Sequence, residues 1–196
     1  MDHLALLDQA TGLFLRDLEA RELETSGSQK STPDARLATI DWSIAELAAH
    51  LGGVHRWAAG IAAGAEWTQR EQSVQAPLPA FEWYRESRRI LLATLRRVDA
   101  ATVVWTVPGT DPTVRFWHRR QLHETVVHLW DLRSASTDEH PRLPDPPVEF
   151  GPELFADTVD ELLTVMVKRF PDLEPLRAPI ELVASDIARR WHVATD

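Results

Sequence analysis

The strongest chemical signal in the sequence is a glutamate and a histidine four residues apart, Glu124 and His128, in a stretch with helical periodicity. Side chains at this spacing lie one above the other on the same face of a helix. Their carboxylate oxygen and imidazole nitrogen would therefore form a natural pair of metal ligands. A third ligand must come from another element. His50 is the best candidate, because it stands in an otherwise apolar stretch and shares a helix face with Leu47 and Val54.

A neighbouring histidine, His123, is predicted to take no part in this site. The zincin motif places two histidines four residues apart on one helix face, whereas His123 and His128 are five residues apart. At about 100° per residue, this spacing separates them by roughly 140° around the helix. We therefore predict that His123 is structural.

The ligand types restrict the metal. Two histidines and one carboxylate suit Zn²⁺, Ni²⁺, Fe²⁺ or Mn²⁺, and zinc is the preferred prediction. Three protein ligands leave positions open for water or a thiolate, which is usual for a catalytic site. Taken singly, the residues have plainer interpretations, with His50 as a hydrogen-bonded core histidine and Glu124 as a surface or capping charge. The combination carries the prediction, because facing helices of a bundle bring such side chains together.

The composition restricts the partners of such a site. The 196 residues include no cysteine, so any thiol chemistry must use a thiol from a bound small molecule. The net charge of −9 argues against a nucleic-acid partner, because such proteins usually present a basic face. No apolar run approaches the ~20 residues that span a bilayer, and no signal peptide is visible. We expect a cytoplasmic monomer or homodimer that does not bind a membrane.

The hydrophobic pattern predicts a mainly α protein. We expect a four-helix bundle over residues 1–137, a linker over 138–149, and a small α/β subdomain over 150–196. The predicted helices cover about 3–22, 43–63, 80–98, 114–133 and 152–170, and strand-like runs at 180–184 and 191–194 predict a hairpin.

The second predicted helix has a clear start and one irregularity. Ser43 and Glu46 match a capping box, in which the serine and the glutamate satisfy free backbone amides at the helix start. Gly52 and Gly53 either interrupt this helix or allow another element to pack closely against it.

Residues near the candidate ligands have two interpretations each. Arg120, one turn before Glu124, either orients that glutamate or binds an anionic substrate or cofactor, with an exposed salt bridge as the plain alternative. Asp131 either holds another group near His128 or, as the sequence slightly favours, caps the helix end. His55 is expected at the surface, with a position facing the mouth of the cavity as the alternative.

Two separated segments resemble a known family. Residues 41–53 (DWSIAELAAHLGG) and 117–131 (WHRRQLHETVVHLWD) are similar to signatures of the mycothiol-dependent maleylpyruvate isomerase family. The resemblance covers about residues 1–135 and, more loosely, 150–196. It implies a DinB-like four-helix-bundle metalloprotein whose ligands match His50, Glu124 and His128. Family members usually continue further, so the C-terminal subdomain is expected to be either naturally short or truncated.

The resemblance also implies an activity. We expect a metal-dependent S-transferase or isomerase in which mycothiol is activated for attack on an electrophilic small molecule. Two alternatives stay open from the residues alone. One is a non-enzymatic metal-containing binding protein, and the other is a metal-dependent hydrolase with water in the open position.

Overall fold

The structure, a computed structural model, describes residues 1–27, 35–39, 41–66, 79–136, 143–169, 174 and 176–194. Within these ranges the chain is mostly helical and has one two-stranded antiparallel sheet, which confirms the predicted fold class. The helices are α1 (His3–Gly27), α2 (Ile44–Ala62), α3 (Ala80–Arg97), α4 (Val114–Ser134) and α5 (Pro152–Glu161), and the strands are β1 (Ile180–Ala184) and β2 (Arg189–Val193).

The first four helices form the bundle that carries the candidate site. In it, α2 packs mainly against α3, and α1 packs mainly against α4, while α2 also contacts α4 and α1 also contacts α3. Helices α1 and α2 therefore occupy opposite corners. The interior is mainly apolar, and burial of each large apolar side chain contributes roughly 1.5–3 kcal/mol. Its fully buried members include Leu7, Phe14, Leu47, Leu51, Tyr84, Leu91, Leu95, Trp117, Leu122 and Leu129.

The start of α2 confirms the predicted capping box. The Ser43 hydroxyl accepts from the Glu46 backbone N–H at 3.2 Å, and the Glu46 carboxylate accepts from the Ser43 N–H at 2.8 Å. The helix is not interrupted at Gly52. A Cβ at that position would lie 2.5 Å from Trp83 Cδ1, so the glycine allows α3 to pack closely against α2. The Trp83 indole N–H donates to the Ala49 carbonyl at 3.0 Å.

The described chain separates into two compact units, one of residues 1–106 and 111–147 and the other of 107–110 and 148–196. In the second unit, α5 ends at Glu161, earlier than predicted. A wider π-type turn follows, in which the Val167 N–H bonds the Leu162 carbonyl five residues back. The backbone angles at both positions stay helical. Because the backbone stays helical, the spacing of apolar residues in the sequence continues past Glu161. The sequence pattern therefore cannot reveal where the α-helical hydrogen bonds change to the wider π-type bonds.

The hairpin of the second unit differs slightly from the prediction. Its β2 strand begins at Arg189, because Arg189 and Arg190 pair with Ala184 and Val183. Their polar side chains hid this extension from the hydrophobic pattern. Asp160 on α5 accepts from the Trp191 indole N–H at 2.6 Å and pairs with Arg189, which attaches the hairpin to α5. In the described part of the chain, no helix is long and apolar enough to cross a membrane.

Candidate metal centre

The bundle brings together the three residues that the sequence nominated. His50, Glu124 and His128 each offer one atom, and these atoms all lie within 4.8 Å of one another. Glu124 Oε1 is 3.5 Å from His50 Nε2 and 3.4 Å from His128 Nε2. One carboxylate oxygen therefore faces two imidazole nitrogens. Among the described residues, this is the one group of three or more His, Asp or Glu side chains that has the spacing of a metal site.

The two helices place these atoms by their regular geometry. Glu124 and His128 lie on the same face of α4, one turn apart, as their spacing predicts. His50 lies on α2, which contacts α4, and the His50 and His128 rings meet edge to face with centroids 5.3 Å apart. All three side chains are 14–25% exposed, so the site is shielded from water but still accessible.

Arg120 determines the charge state of Glu124. Its guanidinium donates to Glu124 Oε2 across one helical turn, and its side chain is only 10% exposed, so the alternative of an exposed salt bridge is wrong. Burial alone would raise the pKa of Glu124. The positive charge of Arg120 and the hydrogen bonds from His128 and His50 outweigh it and hold the pKa well below its usual value. The carboxylate is therefore ionised, with Oε2 occupied by Arg120 and Oε1 turned to the histidines.

Asp131 holds the other nitrogen of His128. His128 Nδ1–H donates to Asp131 Oδ2 at 2.9 Å, so the interpretation of Asp131 as a helix-end cap is wrong. The contact directs Nε2 towards Glu124. Burial disfavours the charged imidazole, but the hydrogen bonds to Asp131 and Glu124 raise the pKa of His128 to about 9. Asp131 follows His128 by three residues in the same helix, and this spacing was the sequence signal that the two side chains could interact.

Two further histidines lie outside the group. His123 is buried, with its ring 6.5 Å from that of His3. His55 was expected at the surface, and this is wrong, because it is fully buried. The Thr125 hydroxyl donates to the Gln121 carbonyl at 2.7 Å. Its oxygen is thus left to accept from His55 Nε2–H at 3.2 Å.

The burial of His55 has an electrostatic consequence. Burial lowers its pKa to about 3, against a smaller opposing influence of Glu124. His55 is therefore neutral at physiological pH. Leu51 and Ala59, which lie one turn away on either side in α2, are also buried. The hydrophobic pattern around His55 could have revealed an interior position, but the polar residue type suggested the opposite.

The donor set fits a divalent metal. Two imidazole nitrogens and one ionised carboxylate oxygen are ligands that Zn²⁺ and other first-row divalent ions accept. The convergence of three such atoms in a partly buried site, with Arg120 and Asp131 holding the outer atoms of two of them, matches the way proteins orient metal ligands.

The fold and the site define a helical-bundle protein with a candidate His/Glu/His metal centre between α2 and α4. The chain matches the family described as mycothiol maleylpyruvate isomerase N-terminal domain over residues 29–133, more than half of its length, and it belongs to this family. The matched range contains all three residues of the centre. No curated protein and no solved structure matches the chain significantly.

Proposed function

We propose that this protein is a metal-dependent enzyme that uses mycothiol in an S-transferase or isomerase reaction. The observation that carries the proposal is the convergence of His50 Nε2, Glu124 Oε1 and His128 Nε2 within 4.8 Å. Membership of a mycothiol-related family supports the choice of thiol. The absence of cysteine from the chain adds that a thiol must come from a small molecule.

His50, Glu124 and His128 would hold the metal, with zinc as the first choice. When bound together, the metal and the thiol would supply a thiolate that forms a carbon–sulfur bond with an electrophile, with the thiol proton released to solvent. In the transferase version a leaving group departs from the attacked carbon. In the isomerase version the thiol adds to a conjugated double bond and is later eliminated.

The chain's own residues would keep this centre in one arrangement. Arg120 occupies Glu124 Oε2, which leaves Oε1 to face the two imidazoles. Asp131 occupies His128 Nδ1, which leaves Nε2 to face Glu124 Oε1 in the site. Three protein donor atoms leave room for an exogenous ligand. Direct contact of Arg120 with the thiol cofactor stays a prediction, because its guanidinium is seen paired with Glu124.

The decisive experiment supplies metal-loaded protein with an electrophile, either a bimane or a chloro-nitroarene, together with mycothiol, another thiol or no thiol. We expect conjugation that requires mycothiol, is lost in Glu124→Ala, and is kept in the matched control Glu82→Ala, which removes an exposed glutamate from α3. Turnover of an ester or amide without thiol would show a hydrolase instead. Absence of turnover by the metal-loaded protein across a broad panel of electrophiles would favour the binding-protein alternative.

A further inference from the structure

The segment that precedes α2 contacts both sides of the candidate centre. We call residues 36–39 and 41–42 the entry segment. The Thr39 hydroxyl donates to Asp131 Oδ1 at 2.6 Å, while Oδ2 of the same carboxylate accepts from His128. The Trp42 ring lies 4.9 Å from the His50 ring, centroid to centroid, at an angle of 56°. The two histidines of the centre thus have separate contacts to one short segment.

The backbone of the entry segment is fixed to the end of α4. Arg36 and Ser136 exchange two backbone hydrogen bonds of 3.0 Å. The Ala38 N–H donates to the Ser134 hydroxyl oxygen at 3.1 Å. Because its neighbours are attached in this way, the Thr39 hydroxyl is presented to α4 from a fixed position.

We propose that the entry segment orients both imidazoles of the centre, with Thr39 acting through Asp131 on His128 and Trp42 acting directly on His50. The inference rests on the proposed metal function. Both residues are positioning residues, since neither offers an atom to the metal group. Outer hydrogen-bond partners of a ligating histidine fix its ring and tune its affinity for metal.

Each contact limits one rotation. An aspartate side chain can turn its carboxylate about the bond to Cβ, and the hydroxyl of Thr39 on Oδ1 keeps Oδ2 directed at His128 Nδ1. The His50 imidazole can likewise turn about its own side-chain bond. The indole of Trp42 blocks part of that rotation by packing against the ring.

The primary test compares Thr39→Val, which keeps the shape and removes the hydroxyl, with Thr39→Ser, which keeps the hydroxyl. The matched control is Thr113→Val, because Thr113 also donates to an aspartate, Asp111, at 2.7 Å at the opposite end of α4. The Zn²⁺ dissociation constant is measured by competition with a chromogenic chelator. We expect Thr39→Val to raise it about 3- to 10-fold, as for a lost hydrogen bond. Thr39→Ser and Thr113→Val should leave it unchanged.

A second readout uses the metal-free protein, so that it does not depend on the proposed function. We expect Thr39→Val to shift the imidazole NMR resonances of His128 and Trp42→Leu to shift those of His50, each with little effect on the other ring. If the wild type binds no metal, the proposed function fails, while these resonances still test the contacts of the entry segment.

Two results would overturn the inference. One is a Thr39→Val protein that matches Thr113→Val in both zinc affinity and His128 resonances. The other is a loss of thermal stability in Thr39→Val with both readouts unchanged, which would show that the hydroxyl only supports the fold. Should Thr39→Val not fold, Thr39→Ala takes its place with the same expected results.

Discussion

Two largely buried histidines at the contact between α2 and α4 have opposite acid–base properties. His128 has carboxylates on both sides, Asp131 at Nδ1 and Glu124 at Nε2, and its pKa is raised to about 9. His55 has a neutral hydroxyl partner, Thr125, and its pKa is lowered to about 3. Burial acts against the charged form in both cases, so the partners decide the difference.

The different partners of His128 and His55 explain what each histidine is suited for at the contact between α2 and α4. Around His128, the two carboxylates of Glu124 and Asp131 favour positive charge. A proton provides it in the metal-free protein, and a divalent metal would provide it in its place. Around His55, burial outweighs the smaller influence of Glu124, and the neutral imidazole serves as a hydrogen-bond donor between helices. The same residue type therefore supports chemistry in one place and packing in the other.

The largest expected effect comes from removing a ligand. His128→Ala should weaken Zn²⁺ binding by more than about 100-fold, beyond the usual effect of losing an outer hydrogen-bond partner. His123→Ala, a change five residues away on another face of α4, should leave zinc content per folded protein unchanged. Metal analysis of both purified variants after zinc loading makes the comparison. Equal losses in the two variants would contradict the assignment of helix faces.

A smaller effect is expected from Asp131→Asn, which removes the charge beside His128 and keeps the shape. Zinc affinity should fall about 10- to 100-fold, and the pKa of His128 in the metal-free protein should fall from about 9. NMR titration of the His128 ring measures the pKa. A pKa that does not move would show that Asp131 is not the group that makes His128 basic.

The same variant has a linked effect on stability. Because the folded pKa of His128 is above the value of about 6.5 for an unfolded chain, its proton stabilises the metal-free fold below pH 6.5. That contribution is lost as the pH rises towards 9. In Asp131→Asn this loss should be smaller. Urea unfolding at pH 6 and pH 9.5 measures how much the free energy of unfolding changes with pH in the metal-free wild type and in Asp131→Asn. An equal change in the two proteins would contradict the linkage between the pKa of His128 and stability.

His55 should give the opposite pH dependence. Its folded pKa is about 3, so between pH 6.5 and pH 3 the unfolded state binds the extra proton and stability falls with acidification. By pH 5 the loss from this group should be about 2 kcal/mol. His55→Gln, which can still donate to Thr125, should show less loss between pH 7 and pH 5 in urea unfolding. An NMR titration of His55 with a midpoint near 6.5 would refute the prediction.

The smallest effect is expected at the start of α2, the helix that carries both His50 and His55. Ser43→Ala removes the capping hydroxyl and should lower the free energy of unfolding by about 1 kcal/mol. Zinc affinity should stay unchanged, and Ser43→Asp should restore the stability. This variant separates a general loss of α2 stability from the specific effects above. If Ser43→Ala lowered zinc affinity as much as Asp131→Asn does, the effect of Asp131→Asn could no longer be distinguished from a general loss of α2 stability.

Local periodicity predicted the parts of the site that depend on a single helix. The spacing of Glu124 and His128 gave their common face, and the capping box at Ser43 gave the start of α2. Gly52 was recognised as a place of interruption or close contact, but its partner Trp83 could not be named. That partner lies on another helix, and a pattern within one helix carries no information about it.

The failures have the same physical origin. His55 was assigned to the surface because polar residues are usually exposed, and its partner Thr125 became visible only in the structure. Thr39 gave no signal at all. Its partner Asp131 is 92 positions away in the chain, and one sequence offers no means to pair them.

The attachment of the entry segment to the end of α4 also has a consequence for folding kinetics. Its hydrogen bonds join residues 96 and 92 positions apart, and contacts that close such long loops form slowly compared with helices. During refolding, α2 and α4 can become helical before the entry segment docks against the end of α4. Uptake of a spectroscopic ion such as Co²⁺ should therefore lag behind the recovery of helical circular dichroism, and the length of that lag would time the last stage of assembly.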